Sequence, residues 1–426
     1  MEIKIKENKT TEFGLIPSDW QMKEFQDVMT GFFSGATPYR GRPEYYKGQI
    51  NWITSGELNY NIITDTIEKI TEEAVRNTNL KILPKGTFLF AITGLEAEGT
   101  RGSCALTGID ATTNQSCMAL FPFESLDVKY LYHYYVWKGK MLALRYCQGT
   151  KQQSYTGKIA RKLPIILPPT KSEQTAIATA LSDTDALIEN LEKLIAKKRN
   201  IKQGVMQELL TGRKRLEGFS TEWRYSTLSK FVADKKFAIV DGPFGSQMKV
   251  QDFVEQGIPI VEMEHLKNKF LEPDKLDRYI THKKFEELIR SSVFPDDIII
   301  SKTGSLGYIS IVPSSIEKAL ITSRLAKITL DKKKANISFV FQCLARLREI
   351  EYWQRTAQGG TMLILSIANI SHAPIPDISI YEQKEIADIL DTMDNDIERL
   401  EQILNKYNMI KQGMMQALLT GKIRLV

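Results

Sequence analysis

Ile201-Lys202-Gln203-Gly204, Met206-Gln207, Leu209-Leu210-Thr211-Gly212 returns 209 residues later as Ile410-Lys411-Gln412-Gly413, Met415-Gln416, Leu418-Leu419-Thr420-Gly421. The same offset carries Glu173 to Glu382 and Leu216 to Leu425, so the match holds without a gap. A period near half of the 426 residues is far longer than the ~20–50-residue unit of a solenoid. The chain therefore reads as two large similar halves, each closed by the same segment.

That segment is an amphipathic helix. Ile177, Leu181, Thr184, Ile188, Leu191 and Ile195 step alternately by four and three, and Ile386, Leu390, Met393, Ile397, Leu400, Leu404 and Tyr407 continue the pattern in the second copy. This is a heptad seam and predicts coiled-coil packing. Pro168-Pro169 and Pro374/Pro376 bar an earlier start, and Gly212 and Gly421 stand where a helix stops. About 38 residues between, at about 1.5 Å each, make a rod of roughly 57 Å. Gly204 and Gly413 predict a kink or a close helix contact near each end. A two-fold relation between the copies makes the rods antiparallel. Met206 and Leu210, with Met415 and Leu419, fall off the seam and are expected to form matching exposed patches that dock a partner.

Work outward from the helices and the globular parts repeat more loosely. Leu83-Pro84-Lys85-Gly86 feeds Phe88-Leu89-Phe90 and then Thr93-Gly94, and Phe294-Pro295-Asp296-Asp297 feeds Ile298-Ile299-Ile300 and then Thr303-Gly304. Each is a turn, a buried strand and a glycine loop. Gln148-Gly149-Thr150 and Gln358-Gly359-Gly360-Thr361 precede the coils, and helical patches at Tyr130–Tyr146 and Ser338–Trp353 alternate with the strands. Each half is thus α/β or α+β. The expected domains are residues 1–167, a helix in 168–215, a second domain 216–376 and a second helix 377–426.

Composition is that of a soluble globular chain, 42% hydrophobic with a net charge of +6. The first residues alternate charge with single apolar side chains, unlike a signal peptide. Apolar runs such as Leu163–Leu167 are too short to span a bilayer. Cys104, Cys117, Cys147 and Cys343 lack metal-site spacing and read as reduced, packed thiols. The charge is uneven: Lys193 to Arg215 holds eight basic residues and one acid, Glu208. Two readings are open, a solvated helix face and a positive surface beside a polyanion.

Taken in order, these features resemble the DNA-specificity subunit of type I restriction–modification enzymes over essentially the whole chain. The resemblance rests on Ser34-Gly35-Ala36-Thr37-Pro38, Ile70-Thr71-Glu72-Glu73, Asn114-Gln115-Ser116, and Glu173-Gln174 with its twin Glu382-Gln383. It implies two target recognition domains, each reading one half of a bipartite DNA sequence, with the helices as a ruler between them. It also implies separate methyltransferase and ATP-driven restriction subunits as partners. The duplicated Met/Leu patches are expected to hold two methyltransferase copies, and the chain is expected in the cytoplasm. S-adenosylmethionine, ATP and magnesium would belong to those partners, leaving this chain without a cofactor. The second half departs from the pattern, with Asp241-Gly242-Pro243-Phe244-Gly245-Ser246 in place of the first turn and Ser323-Arg324 in place of Asn114-Gln115. The halves are expected to read different bases, making the target asymmetric.

The residues agree that catalysis lies elsewhere. The sequence has no Gly-x-x-x-x-Gly-Lys-Ser/Thr loop for nucleotide phosphates and no Asn/Asp-Pro-Pro-aromatic stretch to hold a flipped base. His133, His265, His282 and His372 lack triad or ligand spacing. Pro295-Asp296 with Asp331-Lys332-Lys333 fits a loose metal-nuclease pattern, but the corresponding Pro84-Lys85 has no acid, so it reads as a turn. A nuclease and a coiled-coil adaptor with no DNA role are the alternatives. Base edges and phosphates are contacted by polar and basic side chains on loops. The candidates are Thr37, Tyr39, Arg40, Arg101, Gln148, Lys151 and Gln152 in the first half. In the second they are Ser246, Gln247, Lys249, Lys302, Ser305, Arg324 and Thr361. Tyr45, Tyr46 and Trp52 are read as core.

Overall fold

Two 39-residue helices, Lys171–Leu209 and Ile380–Leu418, organise the chain, and both ends of the second lie 209 residues beyond those of the first. The computed structural model describes residues 8–359 and 363–425. Contacts divide the chain into two compact units, one built from residues up to Glu192 plus the stretch from Gln402, the other from Lys193–Glu401. Each unit thus holds a globular domain, the first part of its own long helix and the last part of the other.

In the first unit a five-stranded sheet contains β1 (Met29–Ser34), β2 (Asn61–Ile63), β3 (Phe88–Ala91), β4 (Cys104–Thr107) and β5 (Cys117–Pro122), in the order β1-β5-β3-β4-β2. β3 and β4 are buried throughout, as expected for a sheet covered on both faces. One cover is α1 (Val128–Tyr146), whose Tyr130, Tyr134 and Tyr135 are fully buried in the same cluster as Phe88 and Phe90. A small sheet of Ile50–Ile53, Glu68–Ile70 and Thr112–Thr113 holds Tyr45 and Trp52 in a satellite core. The first long helix, α2 (Lys171–Leu209), follows.

The second unit repeats the plan. β6 (Ile239–Asp241), β7 (Ile298–Ser301), β8 (Ile309–Ile311) and β9 (Leu325–Ile328) pair in the order β6-β9-β7-β8, matching β1-β5-β3-β4. Its covering helix, α3 (Ile337–Glu349), stops where Glu351 takes a left-handed conformation, and Tyr352–Thr356 forms a separate turn. The continuous patch expected to Trp353 is therefore broken. The other long helix is α4 (Ile380–Leu418).

The duplicated Glu-Gln opening of the long helices has a structural cause. Thr170 and Ser379 cap them, each hydroxyl accepting the amide hydrogen bond of the Glu three residues on at 3.2 Å. Gln174 accepts from the Asp127 amide at 2.9 Å and Gln383 from the Asn336 amide at 2.9 Å, tying each helix to the start of α1 or α3. Glu173 receives a forked contact from Arg424, which also reaches Asp19. Glu382 receives the same fork from Arg215, at 2.9 and 3.1 Å, with the Trp223 indole N–H donating at 3.1 Å. In both units, therefore, an arginine just past the end of one long helix clamps the glutamate that opens the other. Gly212 and Gly421 make these turns at φ +72° and +71°, with a Trp223 or Pro17 ring too close for a Cβ.

The helices run antiparallel in each unit. In the first, Asp185 meets Lys411 at 2.5 Å and Thr184 meets Met414. In the second, Lys198 meets Asp396 at 2.7 Å and Lys202 meets Asp394. Beside these pairs, at corresponding positions, His133 shares a 2.9 Å hydrogen bond with Ser182, and Gln342 donates to Asp394 at 2.8 Å.

Two expectations are corrected. Met206, Leu210, Met415 and Leu419 are not exposed; they are 2%, 2%, 7% and 0% accessible. Met206 and Leu210 lie in the core with Leu228 and Phe231, and Met415 and Leu419 in the core with Trp20 and Phe25. Near its C-terminus each helix buries more than its seam, because a globular domain covers the adjoining face. Gly204 and Gly413 break neither helix, and a Cβ on either would meet open space. Packing of the seam outweighs the ~1 kcal/mol a mid-helix glycine costs.

Candidate nucleic-acid interface

Strand register gathers the candidate loops. In the first unit Met118 on β5 faces Ser34 at the end of β1, Cys117 faces Ala91 at the end of β3, and Phe90 faces Cys104 at the start of β4. The loops 35–40, 92–103 and 114–116 therefore leave one end of the sheet. Loop 148–154 joins them through the bridge of Ser154 to Thr93 and the Tyr155 amide, which donates to Ile92 at 2.8 Å. All seven candidates of the first half lie on these four loops.

The second unit assembles the same end. Asp241 faces Ala326, Ser301 faces Leu325 and Ile300 faces Ile309. Loops 242–249, 302–308 and 322–324 meet there, and Ile364 bridges to Thr303. Ser246, Gln247, Lys249, Lys302, Ser305 and Arg324 are on these loops, while Thr361 lies outside the described residues.

Glycines set the loop geometry. A Cβ on Gly35 would lie 1.8 Å from the Thr113 carbonyl oxygen, and one on Gly242 would lie 2.1 Å from that of Thr322. Neither position admits another residue without moving the backbone. Thr113 and Thr322 are themselves one repeat apart, so the divergent turn of the second half keeps the contact of the first.

Side-chain availability sorts the candidates. Tyr39 is 73% exposed, and Gln148, Lys151, Gln152, Ser246, Gln247, Lys249, Ser305 and Arg324 are also exposed. Arg40 is exposed, but its fork grips Glu68 at 2.6 and 2.7 Å and its plane lies over Tyr46. The Arg40 hydrogen bond in turn holds the Glu68 carboxyl below its usual range. Arg101 is half-buried and donates to the carbonyls of Leu95 and Glu96 at 2.9 and 2.8 Å, so it shapes its loop. Lys302 pairs with Asp241 at 2.9 Å, and Arg290 reaches the same carboxylate at 2.5 Å. Thr37 donates to the Oε1 of exposed Gln115 at 2.5 Å. Gln115 is absent from the sequence-derived candidates, although the repeat offset pairs it with Arg324.

Elsewhere, the basic run is partly compensated within the second unit, where Lys198, Arg199, Lys202 and Arg215 pair with Asp396, Glu401, Asp394 and Glu382. Asp296 sits in the turn before β7 and pairs with Lys332 at 2.6 Å. Among the described residues no three His, Cys, Asp or Glu side chains gather as a metal ion would need, and no helix is long and apolar enough to cross a membrane.

A mixed α/β domain present twice, with its loops collected at one end of each sheet and two long antiparallel helices, defines a class of duplicated recognition proteins. The profile of the type I restriction modification DNA specificity domain matches residues 17–198 and 247–408, and the chain belongs to that family. Among its relatives, the type I restriction enzyme MjaIX specificity subunit of Methanocaldococcus jannaschii is 34% identical over 194 residues, covering 44% of this chain and 43% of that protein. The putative MjaX specificity subunit of the same organism is 27% identical over 443 aligned residues, covering 98% of this chain and 96% of that protein. In fold, the crystal structure of the type I restriction-modification S subunit from M. genitalium matches with a TM-score of 0.61 at 18% identity, over 94% of this chain and 96% of that one.

Proposed function

We propose that this chain is the DNA-reading subunit of a type I restriction–modification complex. Each unit reads one half of a bipartite, asymmetric duplex target through the loops at its sheet end. The long helices set the number of unread base pairs between the half-sites and hold two methyltransferase subunits. Catalysis, and with it S-adenosylmethionine, ATP and magnesium, belongs to partner subunits, including a restriction and translocation subunit, and the complex works in the cytoplasm.

The observation that carries this reading is the repetition of one loop architecture with different chemistry. Gly35 on Thr113 and Gly242 on Thr322 hold equivalent frames. On these frames stand Thr37 and Gln115 in one unit, and Phe244 and Arg324 in the other. Equal frames carrying unequal donors and acceptors suit two unlike half-sites. Family membership and two relatives named as specificity subunits support the same reading.

Comparing the DNA methylation pattern of cells with and without the gene tests it. A bipartite motif with two unlike halves should disappear on deletion. An unchanged methylation pattern, together with no mobility shift of duplex DNA by the purified chain, would remove the proposal.

A further inference from the structure

The pair Gln115 and Arg324 allows the reading to be sharpened to single bases, and this step rests on the DNA-reading role proposed above. The two residues occupy the same repeat position, 209 apart. Each is exposed and stands two residues beyond the threonine whose carbonyl abuts the loop glycine, just before β5 or β9 begins. Their backbones are pinned. The Asn114 amide donates to the Ile53 carbonyl at 2.9 Å and the Cys117 amide to the Asn114 carbonyl at 3.3 Å, while the Leu325 amide donates to the Thr322 carbonyl at 2.9 Å. The Arg324 carbonyl accepts from the Lys302 amide at 2.9 Å.

The surroundings give each side chain a defined hydrogen-bonding face. The Thr37 hydroxyl donates to Gln115 Oε1, which fixes the amide so that Nε2 is the free donor and Oε1 keeps its second lone pair. One donor beside one acceptor matches N7 and N6 of adenine in the major groove. Arg324 has no side-chain hydrogen bond or ion pair among the described residues. Asp241, on the strand that pairs with β9, already holds both Lys302 and Arg290. A free guanidinium fork with donors only matches O6 and N7 of guanine. We propose that Gln115 reads an adenine in one half-site and that Arg324 reads a guanine at the corresponding place in the other.

The test is the methylated motif of cells whose only copy of the full-length gene carries Q115A, Q115N, R324A or R324K. The wild-type strain must first show a bipartite motif; without one, the DNA-reading role fails rather than this assignment. With it, Q115A is expected to relax one adenine in one half-site and leave the other half intact. R324K keeps the charge for phosphate but loses the fork, and is expected to relax one guanine in the opposite half. Discrimination at each relaxed position should drop about ten- to a hundredfold. If an alanine variant abolishes methylation, the conservative variant decides. Methylation with the base relaxed supports the assignment; methylation with an intact motif, or none, overturns it. Relaxation of both variants in one half-site, or of other bases, overturns it too.

Discussion

Replacing Arg424 by Met tests the clamp that joins the end of one long helix to the start of the other. Glu173 is 1% exposed and takes the guanidinium fork, while Arg424 is 21% exposed. Removing the cation leaves a buried carboxylate without its charged partner, which costs about 3–5 kcal/mol when both groups are buried. Because Arg424 is partly solvated and Asp19 loses only a longer contact of 3.2 Å, the lower end, about 3 kcal/mol, is expected. That is a large share of the ~5–15 kcal/mol by which a domain is stable. Hydrogen exchange read by mass spectrometry should show peptides of β3, β5 and α1 exchanging about a hundredfold faster. Peptides of β7, β9 and α3 should keep their rates. R215M should reverse the pattern, since Glu382 is 3% exposed. The double variant R424M/E173M, which removes both charges, should recover most of the loss. A cost below about 1 kcal/mol for R424M, or equal loss of protection in both units, would refute the reasoning.

Four further outcomes follow from the same packing. Gly204→Ala and Gly413→Ala, at exposed helical sites, should each stabilise by about 0.5–1 kcal/mol in thermal unfolding. M206D/L210D should unfold the second unit, seen as lost near-ultraviolet ellipticity and rapid proteolysis, instead of releasing a partner from a folded chain. Burial, outweighing the nearby Asp185, lowers the pKa of His133 from 6.5 to about 4. The folded unit thus favours neutral imidazole, so this stability is whole above about pH 6.5 and is lost as pH falls through about 4. His133→Gln, the residue found at the corresponding Gln342, should flatten that part of the stability profile in urea titrations. Inserting one heptad after Ile195 and another after Leu404 should lengthen the unread gap of the methylated motif by about three base pairs, at ~1.5 Å per residue, without altering either half-site; altered half-site bases with an unchanged gap would count against the ruler.

Regular features of the fold were legible because they are periodic. The 209-residue offset located both long helices, and the four-three spacing named the seam residues Ile177, Leu181, Leu191 and Ile195, all buried. Buried strands at Phe88–Ala91 and Ile298–Ser301 were marked by the turns that feed them. Chain-distant contacts left no periodic trace. The burial of Met206 and Leu210 depends on the second globular domain reaching over a second helix face. The engagement of Arg40 by Glu68, and of Lys302 by Asp241, depends on residues 28 and 61 positions away. Composition makes every loop arginine look available; only tertiary pairing separates Arg324 from Arg40. Gln115 could have been found by carrying the offset back from Arg324.

The clamp between Arg424 and Glu173 also orders events during synthesis. The first unit needs the stretch from Gln402 onward, which leaves the ribosome some 210 residues after Glu192. At about 5–20 residues per second, that is a wait of roughly 10–40 s. For that interval the first globular domain lacks the helix end that supplies Met415, Leu418 and Leu419 to its core. The second unit draws on a continuous stretch of chain and waits for nothing made later than Glu401. The half synthesised first is thus the half completed last.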